Sequence, residues 1–278
     1  VRVLLTVQGE RVIDSDVEIG YLHRGFEKTC ENVTYNQCVP YTDRLNYVSP
    51  FINNVGYALA VEKLMGIEAP VRAQYIRVIM SELSRLLDHL TCIGDNAMEL
   101  AAFTVYFYLI NAREELYRLT DAVAGGRVTP AYTRVGGLTR DLPPDFRLMT
   151  DEAFKKVRKN LSDADKLLTR NRIFYDRLHN IGNISKEDAI AFSFTGPALR
   201  STGLPLDVRK ATPYLVYDRF DFDIPVGSNG DNYDRYLVRM EEMKQSMRIV
   251  EQALAQLPDG PINHPDFIVS LPSKEEVA

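Results

Sequence analysis

Helical periodicity, sustained over four long segments, is the strongest constraint this sequence places on its fold. Within 70–90, Ile76, Ile79, Leu83, Leu86 or Leu87, and Leu90 recur at three- and four-residue spacing, with Arg77, Ser81, Arg85 and Asp88 on the opposite face. A comparable seam of Tyr236, Met240, Met243, Met247, Val250, Leu254 and Leu257 runs through about 231–257. The stretch 47–65 is apolar nearly all round apart from Asn53 and Asn54, and Gly66 is placed to end it; 100–121 is stopped by Gly125 and Gly126. Apolar stripes this long must be buried against one another, so the pattern predicts a mainly α fold built around a helix bundle.

Smaller elements surround these helices. β-branched residues in 1–7 and 11–17 flank Gln8-Gly9-Glu10, a two-stranded hairpin signal with a glycine turn. RVGGLTRDLPP (134–144) has loop chemistry and precedes an amphipathic helix at about 151–168. Ser185, with Glu187 and Asp188 behind it, caps a short helix that ends near Phe192. The stretch 196–232 is irregular and too long for a plain connection, and loops of that kind carry contacts. With no internal repeat and no dividing linker, 1–278 is expected to form one domain with an α+β character, mainly α with small β-elements.

Composition narrows the function classes. The 278 residues carry 33 basic and 38 acidic side chains, a formal charge of -5, which argues against a dedicated nucleic-acid surface. Cys30, Cys38 and Cys92 contain no CxxC spacing and too few thiols for a disulfide framework, so they are expected to be packed thiols of a reducing compartment. No uncharged stretch reaches the roughly 20 residues needed to span a bilayer. GxGxxG, P-loop, GxSxG and HExxH patterns are absent. His23, His89, His179 and His264 lie far apart, none at ligand spacing from a cysteine, so no metal site is indicated. Glu82, Arg85 and His89 share a helical face, and an ion-paired helix face is a better reading of them than an acid-base cluster.

Two clusters invite a chemical reading. In LHRGFEK (22–28), charges crowd a glycine where the pattern changes from strand to helix, an arrangement able to hold an arginine against an anion or a redox centre. A solvated helix start, with Glu27 near the positive end of the dipole, is the plainer alternative. In RLNY (44–47), Tyr47 stands at the mouth of a buried helix, where most tyrosines simply anchor packing.

Seven ordered blocks carry a resemblance. IGYLHRGFEKTCEN (19–32), YTDRLNYV (41–48), YALAVEKLMGI (57–67), RAQYIRVIMSELSRLLDHL (72–90), RVGGLTRDLP (134–143), LRSTGLPLDVRKATPY (199–214) and YDRFDFDIPVGSNGDNYDRYLVRMEEMKQSMRIV (217–250) closely resemble the D-subunit family of NADH-quinone oxidoreductase, respiratory complex I, whose mitochondrial counterpart is the large iron-sulfur-arm subunit. The match covers nearly the whole chain with family spacing. It implies the fold of the [NiFe] hydrogenase large subunit and a place in the wall of a quinone-reducing chamber. It implies an iron-sulfur partner subunit carrying the terminal [4Fe-4S] cluster, other peripheral-arm subunits, and a membrane subunit where quinone enters. The chain itself would bind no cofactor, with quinone as substrate, on the cytoplasmic side of a bacterial inner membrane or the mitochondrial matrix side.

By the same resemblance, Tyr47 matches the tyrosine whose hydroxyl hydrogen-bonds the quinone head group, a catalytic and quinone-binding role. Arg24 and Arg44 match arginines near the terminal cluster, where positive charge favours its reduced state. Glu99 stands where the family usually has an aspartate linked to a quinone-site histidine, a candidate step in proton supply. That histidine lies in a Thr-His-Gly turn directly before the strand that begins here at Val1, and the family continues past Ala278, so the chain is expected to lack both segments. Thr129, Val33, Asn46 and Val105 replace a histidine, a basic residue, an aspartate and a proline of the family pattern.

Two other readings stay open at the level of sequence. A [NiFe] hydrogenase large subunit, or one from a membrane-bound hydrogenase, needs two CxxC thiolate pairs, and none stands near Arg44 to Tyr47. A scaffold derived from the family would not need the retained tyrosine and arginines.

Overall fold

The computed structural model describes residues 1–267; residues 268–278 of the expected 1–278 unit lie outside the described residues. Two strands, β1 (Arg2–Gln8) and β2 (Arg11–Glu18), are followed by short helices α1 (Phe26–Cys30) and α2 (Tyr35–Thr42). Four long helices come next: α3 (Pro50–Met65), α4 (Val71–Glu99), α5 (Phe103–Ala124) and, after the strands β3 (Thr133–Arg134) and β4 (Gly137–Leu138), α6 (Phe146–Leu168). The chain continues through α7 (Arg172–Leu178), α8 (Lys186–Ala191), α9 (Gly196–Arg200) and α10 (Val208–Ala211) to the long α11 (Asn232–Gln256). The expected mainly α architecture with small β-elements is what forms.

Helix α4 is the axis of the molecule, with α5, α11 and α3 packed around it and α6 layered on α5. Its 29 residues run nine further than the sequence pattern marked, to Glu99. Ile76, Ile79, Leu83, Leu86, Leu87 and Leu90 are buried as the spacing requires. The polar side differs from expectation: Arg77 and Ser81 are buried, as is Glu82; α3 and the 134–137 segment enclose Arg77, and α11 with the 196–232 loop encloses Glu82. Charged groups enclosed in this way need partners: Glu62 and the Arg134 and Gly137 carbonyls supply them for Arg77, and Arg209, Tyr217 and Ser246 for Glu82.

That loop is ordered into α9, α10 and a turn of 3-10 helix at Tyr217–Arg219. The segment 134–144, expected as loop, opens with the β3–β4 ladder, in which Arg134 pairs with Gly137. Gly137 is required there because an added Cβ would lie 2.0 Å from Asn263 Oδ1 and 2.4 Å from the Ile262 carbonyl. The N-terminal hairpin forms in the register Arg2 opposite Glu18, with an irregularity between Thr6 and Val7. Its apolar side chains, Val3, Leu5, Val7, Val12 and Val17 among them, are exposed.

Candidate functional site at the α2–α3 turn

The turn 43–49 is built by side chains that hold backbone in place. Asp43 is fully buried; its carboxylate accepts 2.7 Å from Asn54 Nδ2 of α3 and 2.8 Å from the Ala131 amide. Burial raises the Asp43 pKa, opposed by those two hydrogen bonds and by the Arg44 and Arg134 charges. Asn46 closes the turn: Nδ2 donates to Ser49 Oγ at 2.6 Å and to Asp88 Oδ1 of α4 at 3.4 Å, while its carbonyl accepts from Asn53. An aspartate at position 46 would set a second carboxylate against Asp88, so the asparagine suits the α4 surface of this chain.

Tyr47 follows immediately. Helix α3 begins at Pro50, three residues later than the tyrosine, so the expected helix over 47–65 starts late and Tyr47 rides on the turn. Proline at the first helical position sets this boundary, since it has no amide proton to give. The Tyr47 ring is 58% exposed, and its hydroxyl has no hydrogen-bond partner among the described residues.

Arg24 and Arg44, far apart in sequence, line one cavity of about 250 Å³ together with Leu22, His23, Phe26, Thr29, Tyr41 and Leu45. Gly25, at φ 60, lets the chain turn from the hairpin into α1 and delivers Arg24 to this cavity. Arg44 Nη1 donates 2.6 Å to the Pro40 carbonyl and lies 3.9 Å from Asp43, which leaves it 42% exposed. The cavity therefore presents positive charge, able to hold an anionic group or to lower the energy of an electron arriving nearby.

Glu99 is elsewhere. It is the last residue of α4 and exposed, eleven residues beyond Asp88 and therefore about 16 Å along the helix axis. The structure thus gathers Arg24, Arg44 and the Tyr47 turn at one place and sets Glu99 about 16 Å further along the central helix. Thr129 lies in the loop before Pro130 and Ala131, the segment that Asp43 holds. Val105, where the family has proline, is a buried residue of α5. Cys38 is buried and Cys30 and Cys92 half-buried, all three free. Burial, and the Cys38 thiol beside it, push the Cys30 thiol up to about 11, leaving it inert.

Sequence reasoning did not identify the buried ionic groups behind this surface. Glu62 of α3 pairs with Arg77 at 2.6 Å and accepts 2.8 Å from the Gly136 amide, while Arg77 also donates to the Arg134 and Gly137 carbonyls. Glu82 joins Arg85, Arg209, Tyr217 and Ser246. His89 turns away from Glu82 and meets Glu242 at 2.7 Å, the same carboxylate that Arg200 reaches at 2.6 Å. The Glu82–Arg85 ion pair is as expected, but His89 belongs to a second, separate group. Charged residues inside otherwise apolar helices, Glu62 above all, were the available signal.

Among the described residues no group of three or more His, Cys, Asp and Glu side chains is placed to hold a metal ion, and no helix is long and apolar enough to cross a membrane. Residues 99–278 match the family described as respiratory-chain NADH dehydrogenase, 49 Kd subunit. The D 1 subunit of NADH-quinone oxidoreductase from Sorangium cellulosum is 54% identical over 278 residues, all of this chain and 69% of the relative. The D subunit from Myxococcus xanthus is 53% identical over 277 residues, 100% of this chain and 67% of its own length. The Bdellovibrio bacteriovorus relative, the C/D subunit of NADH-quinone oxidoreductase, is 47% identical over 276 residues, 99% of this chain and 49% of that protein. The chain thus spans about two thirds of the length of the first two relatives.

Proposed function

Since the chain belongs to the 49 kDa subunit family of respiratory-chain NADH dehydrogenase, we propose that its α2–α3 turn forms part of the quinone-reducing site of NADH-quinone oxidoreductase. The observation that carries this reading is Tyr47: an exposed phenol without a partner among the described residues, on a turn held from both sides, next to a cavity lined by Arg24 and Arg44.

Electrons would come from a [4Fe-4S] cluster held by a neighbouring iron-sulfur subunit. The residues present suit that neighbour, since the cavity is cationic and Arg44 is tied back by the Pro40 carbonyl, with its charge incompletely neutralised. Arg44, held by the Pro40 carbonyl, and the exposed Arg24 on the same cavity favour added negative charge nearby, which raises the driving force for electron arrival. Tyr47 then orients the quinone head group by donating its hydroxyl hydrogen bond to a quinone oxygen. As charge builds on that oxygen the bond strengthens, and the phenol is positioned to pass its proton. Asp43, Asn46 and Asn54 keep the turn rigid, so little reorganisation is needed at that moment. Glu99, about 16 Å further along α4 than Asp88, would serve proton supply from a distance.

Other subunits complete the assembly. A relative whose name joins C and D in one polypeptide supports the C component as a neighbour, alongside the iron-sulfur subunit and a membrane subunit where quinone enters. The protein would sit peripherally on the cytoplasmic side of the membrane, and proton translocation would belong to the whole complex.

The test is Tyr47→Phe in the assembled complex. Losing the hydroxyl should lower NADH-driven quinone reduction by on the order of 10²-fold, the usual worth of a positioned proton donor, with assembly intact. Near-normal turnover would refute the assignment.

A further inference from the structure

On α11, nearly every charged side chain has a counter-charge or a set of hydrogen-bond donors. Asp234 accepts from the Ser228 and Asn229 amides, Glu241 meets Lys244, and Glu242 meets His89 and Arg200. Arg248 meets Asp221 and Asp223, and Glu251 meets Arg158. Arg235 and Arg239 are the exceptions: among the described residues no carboxylate oxygen lies within ion-pair distance of either guanidinium. They are four residues apart, so they share a helix face and repel.

Their hydrogen bonds add no negative charge. Arg235 donates to Asn232 Oδ1 and to the carbonyls of Gly182 and Gly230, and Arg239 Nη1 reaches only the Arg235 carbonyl at 3.3 Å. Asp231, the acid whose charge acts on Arg235, is committed to the backbone amides of Asn180 and Asp234. Burial and the Arg239 charge lower the Arg235 pKa, and the Asp231 charge offsets them only in part. Both arginines open onto a cavity of about 230 Å³ between α4, α7 and α11, whose other wall is Ile93, Phe174 and Leu178.

We propose that the Arg235–Arg239 cavity is a receptor for an acidic side chain, an aspartate or glutamate presented by a neighbouring subunit of the complex. The two walls select this chemistry. Paired guanidinium groups bind an oxyanion through forked, charge-assisted hydrogen bonds. The apolar wall accepts an aliphatic stem, which a carboxylate side chain has and a free phosphate lacks. An inserted carboxylate also cancels the like-charge repulsion on α11, which the isolated chain leaves standing. This inference rests on membership of a multi-subunit complex and is independent of the role given to Tyr47.

Zero-length crosslinking in the assembled complex tests it. Arg239→Lys places a primary amine at the cavity; a water-soluble carbodiimide activates a neighbouring carboxyl, and amide formation loses one water overall. The expected product, read by mass spectrometry, is a peptide pair joining position 239 to an aspartate or glutamate of another subunit. An amide formed only within this chain, to Asp88 or Asp95, or no amide at position 239, overturns the proposal. Arginine labelling of the native complex with phenylglyoxal gives a readout that needs no variant. Arg235 and Arg239 should be protected in the assembly and labelled severalfold faster once the subunits are dissociated. Equal labelling in both states overturns the proposal, and so does protection restored to the dissociated chain by inorganic phosphate alone, which would mark a site for a free anion.

Discussion

Arg209 reaches across 127 residues of sequence to place Nη1 3.0 Å from both carboxylate oxygens of Glu82, deep between α4 and α11. Arg85 adds a bond from Nε at 3.2 Å, Tyr217 Oη one at 2.6 Å and Ser246 Oγ one at 2.7 Å. Arg209 is itself braced by Asp207 at 2.6 Å and lies over the Phe222 ring. One carboxylate thus ties the long 196–232 loop to the two central helices.

Removing that charge should be costly. Glu82→Gln leaves Arg85 and Arg209 facing a neutral group inside the protein, and breaking a buried ion pair from one side costs about 3–5 kcal/mol. The expected result is a large fall in the thermal midpoint of the assembled complex, or failure of the subunit to incorporate, read on native gels. A shift within error of wild type would show that Asp207 alone satisfies Arg209.

The same carboxylate sets an acid limit. Burial pushes the Glu82 pKa up, but Arg85, Arg209, Tyr217 and Ser246 hold it at about 2, below the ordinary 4.5. A carboxylate depressed in the folded state contributes stability in full above the unfolded value and loses it as pH falls through the folded one. Its contribution should therefore drain away between about 4.5 and 2. Denaturant midpoints measured across that window should fall for the native protein and stay flatter for Glu82→Gln.

His89 predicts an earlier onset. Burial lowers its pKa from the ordinary 6.5, and the Arg85 and Arg239 charges act in the same direction against the Glu242 hydrogen bond. A depressed histidine is neutral when folded and takes up a proton on unfolding, so its contribution is present above about 6.5 and falls below it. The slope is at most about 1.4 kcal/mol per pH unit, one proton's worth. Thermal midpoints from about pH 8 to about pH 5 should decline for wild type and lose this component in His89→Gln.

Gly137→Ala should destabilise by steric overlap. The added methyl would meet Asn263 Oδ1 and the Ile262 carbonyl well inside contact distance, and overpacking of this kind costs about 1–3 kcal/mol. A lowered melting point, with faster proteolysis of the 262–264 segment, is expected; unchanged values would mean that this segment moves away freely.

Arg44→Met tests the cationic cavity beside the Tyr47 turn. Removing a positive charge that favours an added electron should move the midpoint potential of the neighbouring cluster to more negative values, by on the order of tens of millivolts. A redox titration followed by electron paramagnetic resonance measures it. No shift, or a positive one, would separate Arg44 from the electron path.

Much of the skeleton was legible in the residues. The spacing of Ile76 to Leu90 and of Tyr236 to Leu257 marks α4 and α11 because a helix repeats its buried face every 3.6 residues. Gly66 and Gly125 end α3 and α5 in the left-handed conformation that glycine adopts without strain. Tyr47, Arg24 and Arg44 stand out as candidates only through family resemblance, and the cavity that the two arginines share is a spatial relation that no local pattern carries.

Other features had no local signal. Arg77 and Ser81 read as a solvent face because periodicity reports which side of a helix is apolar, not what covers the other side. Apart from Arg85, three residues from Glu82, the partners of Glu82, Glu62 and Glu242 come from segments 15 to 164 residues away, and such pairings leave no pattern within any window of sequence. The sequence by itself therefore determined the long helices, the glycine-terminated ends of α3 and α5, and the family, since these follow from short-range periodicity, glycine conformation and motif order. Only the tertiary structure decided which charges are buried together and which, like Arg235 and Arg239, have no carboxylate at ion-pair distance among the described residues, because electrostatic pairing depends on distance in space and not along the chain.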